Sequence, residues 1–322
     1  MKPSPSSRPL PAMARRDALG RLVAGGLWVG AGAGCRRGGP EVIVYAAQDR
    51  VFAEPIFHDL ERMTGTRVRA LYDSEATKAV GLANRLIAES ARPRADVWWS
   101  NEEMRTRQLV ARGVLEAGWS RFGARRRVLV ARTDSELART PGLSLRQLTQ
   151  AAWRGRVALA YPVFGTTTTH LLALQQRWGD TAWKDWCREL AANRPMVVDG
   201  NSVVVRWVGR GEADLGLTDS DDVAFARREG LPVVELPLAD SDGLTLPNTA
   251  AVVAGARNRE AAMDLIRYLA GSEVIERLRA AGAIDRDAIA VGPGAGLTDA
   301  DWTSILGGMD GAVEWLRETF VR

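Results

Sequence analysis

Three carboxylates fall within four positions of the stretch GLTDSDDVAFA, residues 216–226: Asp219, Asp221 and Asp222, with Ser220 among them. They stand where a short apolar run, Leu215-Gly216-Leu217, gives way to a helical pattern. Like charges so close repel one another, and a cation placed between them relieves the repulsion. Capping of a helix start by Asp or Ser explains one or two of these acids without requiring three. Other acids close other apolar runs: Gln48 and Asp49 in YAAQD, Asp73 and Glu75 in YDSEAT, and Ser100, Asn101, Glu102 and Glu103 in WWSNEE. Hard oxygen donors of this kind suit hard cations, with capping again the alternative, above all for Ser100 and Asn101.

A second chemistry is written in GTTTTH, residues 165–170, where a glycine and four hydroxyls open a helical pattern. Hydroxyls beside free helix-start N–H groups make an anion site. GNSVVV, residues 200–205, repeats the arrangement with Asn201 and Ser202. A threonine cap with its neighbours solvated is the plain alternative for either run, but two such starts close together are more telling than one. His58 and His170 fall inside helical patterns and read as surface or core residues. Catalytic signatures such as G-x-S-x-G, H-E-x-x-H, C-x-x-C and the P-loop are missing.

The elements that must position these residues alternate. EVIVYAA has strand character, FAEPIFHDLERMTG is helical with a glycine stop, and TRVRALY alternates like a half-buried strand. ATKAVGLANRLIAE gathers Val80, Ala83, Leu86 and Ile87 on one helical face, ADVWW is a strand, and NEEMRTRQLVARGVL is a helix. A second series of strands and helices starts near Arg156, and the C-terminal third is helical. The alternation predicts an α/β fold with a mainly parallel sheet, and two such series predict two lobes with a cleft between them. The polar clusters are predicted at the carboxyl ends of strands, where open α/β sheets bind ligands.

The 322 residues, 46% hydrophobic, suffice for two modest domains. The net charge of +4 belongs to the first 34 residues, where Lys2, Arg8, Arg15, Arg16 and Arg21 face Asp17 alone. The remainder is neutral, which removes the electrostatic case for nucleic acid. The leader reads as an export signal, with paired arginines, a short apolar stretch, and small residues before Cys35. Arg15-Arg16 resembles a twin-arginine signal, and the approach to Cys35 resembles a lipoprotein cleavage site with Gly32 in place of the usual Leu. A plain cleaved signal with an incidental cysteine is the alternative.

VIVYAAQD, ATKAVGLANRLIAE, ADVWWSNEE, GLTDSDDVAFARREG and NTAAVVAGARNREAAMDLIRYLAGSEV together resemble type II periplasmic solute-binding proteins of ABC importers. Within these the resemblance is to the bacterial ferric-ion-binding branch, and it covers nearly everything after Glu41. It implies a two-lobe periplasmic-binding-protein-like fold. Lobe 1 would comprise residues 41–140 plus about 240–290, and lobe 2 residues 141–239; the 291–322 helices would pack on the lobes and residues 1–35 form the export segment. In the ferric branch two adjacent tyrosines bind iron; their positions here hold Asp221 and Asp222. The family's histidine after the first strand corresponds to Asp49, and its acid after the third to Asn101 or Glu102. Its anion site corresponds to the GTTTTH and GNS starts.

The reading that follows is a non-enzymatic carrier, exported to the periplasm or the outer face of the cytoplasmic membrane, monomeric and partnered by an ABC permease. Asp221, Asp222, Asp49 and Glu102 would hold a metal ion, ferric iron with a synergistic anion. Thr166, Thr167, Thr168, Asn201 and Ser202, together with Asp219, Asn101 and Glu75, would hold the anion or line the ligand, and Cys35 would carry a lipid. One alternative is a small organic cation, a polyamine or a thiamine-like molecule, stacked on Trp98, Trp99 or Tyr161. The other is a periplasmic enzyme using the Asp cluster as acid and base.

Overall fold

The structure is a computed structural model that describes residues 39–72, 78–139, 143–239, 242–285 and 299–321. Cys35, Asp73 and Glu75 lie outside the described residues. Strand β1 (Glu41–Ala46) leads into α1 (Arg50–Thr64), which buries Ala53, Ile56, Phe57 and Leu60 on one stripe. It ends at Gly65, which takes up a left-handed conformation at φ 71°. Then follow β2 (Arg67–Leu71), α2 (Lys78–Ala88), β3 (Val97–Ser100) and α3 (Met104–Ala111). Strands β1, β2 and β3 run parallel, as the alternation predicts.

The long β4 (Ser120–Arg132) joins the two halves of one nine-stranded sheet. Up to Arg126 it pairs with β9 (Thr245–Val252); beyond, it pairs with β7 (Leu215–Asp219) and β8 (Val233–Leu236). All three pairings are antiparallel, as is that of β9 with β3, so the sheet is mixed around the crossing and parallel only among β1, β2 and β3 and among β5, β6 and β7. Gly123, at φ 61°, sits in a β-bulge against Ile284, whose Cδ1 lies only 2.3 Å from where a Cβ would stand.

The second half follows with β5 (Val157–Ala160), α4 (Gly165–Trp178), α5 (Asp180–Ala192), β6 (Met196–Val198), α6 (Asn201–Arg210), and α7 (Ser220–Arg228) directly after β7. β5 runs parallel to both β6 and β7. Consequently α4, α6 and α7 all begin at the same edge of the sheet, at the carboxyl ends of neighbouring strands. After β9 come α8 (Arg259–Leu269), α9 (Ser272–Ala280) and α10 (Asp299–Phe320). Trp302, Ile305, Met309 and Leu316 of α10 join Leu171, Leu174 and Trp183 of α4 and α5 in one core. A separate core of Val44, Phe57, Trp99, Leu265 and Leu278 fills the first half. Cys187 is buried with a free thiol. Among the described residues no helix is long and apolar enough to cross a membrane.

Candidate functional site

The starts of α4, α6 and α7 surround a cavity of about 60 Å³, which Asp49 and Asn101 line from the ends of β1 and β3. From the second half the lining includes Tyr161, Phe164, Thr166, Thr167, Asp199, Asn201, Asp219, Asp221 and Asp222. The space holds only a few waters, at roughly 10–15 Å³ of such volume for each. The three aspartates converge as the sequence suggests, with one oxygen from each lying within 4.8 Å of the others.

Asp219 does not cap α7. Arg127 faces it directly across the β4–β7 ladder and donates from Nη1 to its Oδ1 at 2.6 Å. Thr166 Oγ1 and Asn201 Nδ2 donate to Oδ2 at 2.7 and 3.1 Å. Burial opposes the charge on Asp219, but Arg127 and then Arg125 outweigh it and hold the carboxyl below the usual carboxylate range. Asp222 has the opposite fate. Burial, then the charges of Asp221, Asp219 and Asp49, push its pKa well up, with Arg125 offsetting only part. The cluster thus combines one carboxyl whose charge its neighbours favour with one whose charge they oppose.

Arg127 is fully buried, and its guanidinium also reaches Asn201 Oδ1 at 3.1 Å, Thr166 Oγ1 at 3.3 Å, and His170 Nδ1 and Thr167 Oγ1 at 3.4 Å. His170 Nε2 lies 2.6 Å from the Asp242 carbonyl, which can only accept, so the ring carries its proton on Nε2 and offers Nδ1 to Arg127. Burial first, then Arg127, pushes the His170 pKa down to about 3, so the ring is neutral. Asp219, Thr166, Thr167 and Asn201 therefore form one network pinned to β4.

Arg125, two residues back on the same face of β4, is equally buried and lines the cavity. Its Nε lies 3.3 Å from Asp219 and 3.5 Å from Asp221. Burial works against its charge, but Asp221, Asp219, Asp222 and Asp49 together hold it protonated. Arg126, on the opposite face, pairs with Glu235 and Asp285 at 2.9 Å. The acids are thus partly neutralised by two guanidiniums that the sequence reading does not anticipate. The clue was present in GARRRVLV: three arginines inside a strand, of which the first and third must share a face.

The remaining candidates divide. Glu102 is buried outside the cavity lining, where it accepts from the N–H of Met104 at 2.7 Å and of Arg105 at 3.1 Å and so caps α3. Burial raises its pKa. Thr168 donates to the Pro162 carbonyl at 3.1 Å and stays in the interior. Ser202 accepts from Arg206 one turn along α6 and does not line the cavity. Trp98 and Trp99 are wholly buried, Trp98 donating to Thr106 and Trp99 packing on Phe57 and Phe122. Of the three aromatics considered for a cation, only Tyr161 reaches the cavity.

Residues 42–283 match the family model of bacterial extracellular solute-binding proteins. Curated proteins provide no significant match. Solved structures share the fold at low identity. Iron-bound HitA from Pseudomonas aeruginosa superposes with a TM-score of 0.72 at 19% identity, covering 87% of this chain and 99% of that one. The ferric binding protein from Campylobacter jejuni gives 0.74 at 14%, covering 87% and 100%. AfuA from Actinobacillus pleuropneumoniae, with fructose-6-phosphate bound, gives 0.71 at 18%, covering 87% and 97%. These are two-lobe periplasmic binding proteins, so the predicted fold class stands. The family match spans most of the molecule and both sides of the cavity: this chain belongs to the bacterial extracellular solute-binding proteins.

Proposed function

We propose that the chain is the capture component of an ABC importer and that its cargo is a metal ion held together with a small anion, ferric iron being the metal. The observation that carries this is the pairing, in one cavity of about 60 Å³, of carboxylates with the starts of three helices. Asp221 and Asp222 would bind the metal from one side and Asp49 from the other. Thr166, Thr167 and Asn201, at helix starts rich in unpaired N–H groups, would hold the anion. Charge supports a paired cargo. Five carboxylates line the cavity against the two guanidiniums of Arg125 and Arg127, and burial and crowding push the Asp222 pKa up, so the pocket is less negative than its acids alone would make it. A trivalent ion with its anion suits that balance better than the bare ion. The organic-cation reading retains Tyr161 but must place its charge beside Arg125.

Residues 41–140 with about 240–290, and 141–239, would act as lobes closing by a hinge motion across β4. Export by the leader, a lipid on Cys35, a monomeric state and docking on a membrane permease complete the proposal. Ferric iron with bicarbonate or phosphate should raise the thermal midpoint of stripped protein; at a hundredfold excess over Kd the gain is about 2.7 kcal/mol. The Asp221→Ala/Asp222→Ala variant should lose that gain. An undiminished gain in the variant removes both residues from the site, and no gain in the wild type with any metal removes the metal.

A further inference from the structure

Arg125 and Arg127 project from the same face of one strand, yet they are bonded differently. Arg127 spends all three guanidinium nitrogens, Nε on His170, Nη1 on Asp219 and Nη2 on Thr167. Arg125 does not. Its Nε stands at ion-pair distance from Asp219 and Asp221, while its Nη1, buried, has no hydrogen-bond partner among the described residues. A buried charged donor left unbonded is costly, and a guanidinium presents its N–H groups as a planar fork that matches the oxygens of a carboxylate, carbonate or phosphate. The residue lines the cavity into which α4 and α6 begin.

The geometry points to Arg125 as a direct ligand for an oxyanion of the cargo, bridging from the crossing strand β4 to the helix starts at Thr166 and Asn201. This rests on the cavity being the cargo site, and it extends the proposed function by placing the anion on β4 as well as on the second half of the molecule. It also makes Arg125 the residue that selects for cargo. A bare cation meets its repulsion, whereas a cation accompanied by an oxyanion, or an organic phosphate, satisfies its free N–H. The shared chemistry is the oxyanion; its source is for experiment to separate.

Isothermal titration of the wild-type protein should use four probes: inorganic phosphate, ferric nitrilotriacetate, both together, and a sugar phosphate. At least one phosphate-containing probe is expected to bind. Arg125→Gln should weaken that binding about 10- to 100-fold, the loss of one charge-assisted bidentate contact, with Arg125→Lys between. Phosphate or sugar-phosphate binding that needs no iron and falls in Arg125→Gln upholds the oxyanion role while overturning the metal cargo. Iron binding that is indifferent to added phosphate and unchanged in Arg125→Gln upholds the metal and overturns the oxyanion role. Because Arg125→Gln leaves Asp219 and Asp221 short of positive charge and can misfold, a crystal structure of the wild-type protein with its phosphate-containing probe gives an independent answer. A phosphate oxygen within hydrogen-bond distance of Arg125 Nη1 supports the assignment, and a phosphate seated away from Arg125 overturns it.

Discussion

Replacing Arg127 with methionine keeps the unbranched stem of the side chain and removes the guanidinium with its charge and its donors. Arg127 and Asp219 are both sequestered, with side chains 0% and 3% exposed, so water cannot take over the lost contact at 2.6 Å. Asp219 would keep Thr166, Asn201 and the more distant Arg125 at 3.3 Å but lose the partner that most favours its ionised form, while the cost of burial remains. Breaking one side of a buried pair costs about 3–5 kcal/mol. At roughly 2–4 °C per kcal/mol for a domain of this size, the thermal midpoint should fall by roughly 6–20 °C. Urea unfolding followed by tryptophan fluorescence measures the free energy directly. The double variant Arg127→Met/Asp219→Leu should recover part of the loss, since it removes the stranded charge. If Arg127→Met stays within about 0.5 kcal/mol of wild type, the ordinary range for surface substitutions, the network is not holding the aspartate.

Three further outcomes follow from the same geometry. His170 is neutral in the native state with a pKa near 3 but protonates near 6.5 when unfolded. Stability should therefore fall as pH drops from 6.5 toward 3, by on the order of 4 kcal/mol in all. His170→Gln should flatten that slope in urea titrations at stepped pH, and equal slopes would contradict the assignment. Asp222→Asn removes a charge that burial and the neighbouring Asp221, Asp219 and Asp49 oppose, so it should raise the melting temperature of cargo-free protein at neutral pH while weakening cargo binding. A variant less stable than wild type would count against the crowding of these acids. Gly216→Ala would place its Cβ 2.3 Å from Val204 Cγ1, and 3.1 and 3.2 Å from Val130 and Val208. Such overpacking should cost about 1–3 kcal/mol in urea unfolding, and a neutral variant would show that the valines can yield.

Much of the fold was legible because its parallel strands and amphipathic helices repeat local patterns: EVIVYA as a strand, the Phe57 stripe of α1 with its Gly65 stop, and GLTD leading into α7. The antiparallel crossing by β4 and β9 was not, since which strands pair across the molecule is a matter of long-range register. At the site, the convergence of Asp219, Asp221 and Asp222 was readable from their spacing, and the hydroxyls of Thr166 and Thr167 from the helix start. The roles within each run were not. Glu102 and Thr168 stand beside cavity residues in sequence, yet a helix or strand turns successive side chains different ways. Charge balance was the least legible feature, because Arg125 and Arg127 lie more than ninety residues from the aspartates they neutralise.

Elemental analysis with native mass spectrometry of the protein taken from its own periplasm tests the central claim most directly. The account predicts one metal ion per chain, iron foremost, with extra mass for a small anion, and both lost in the Asp221→Ala/Asp222→Ala variant. Protein that arrives metal-free, or carries an organic compound that a chelator does not displace, would contradict it.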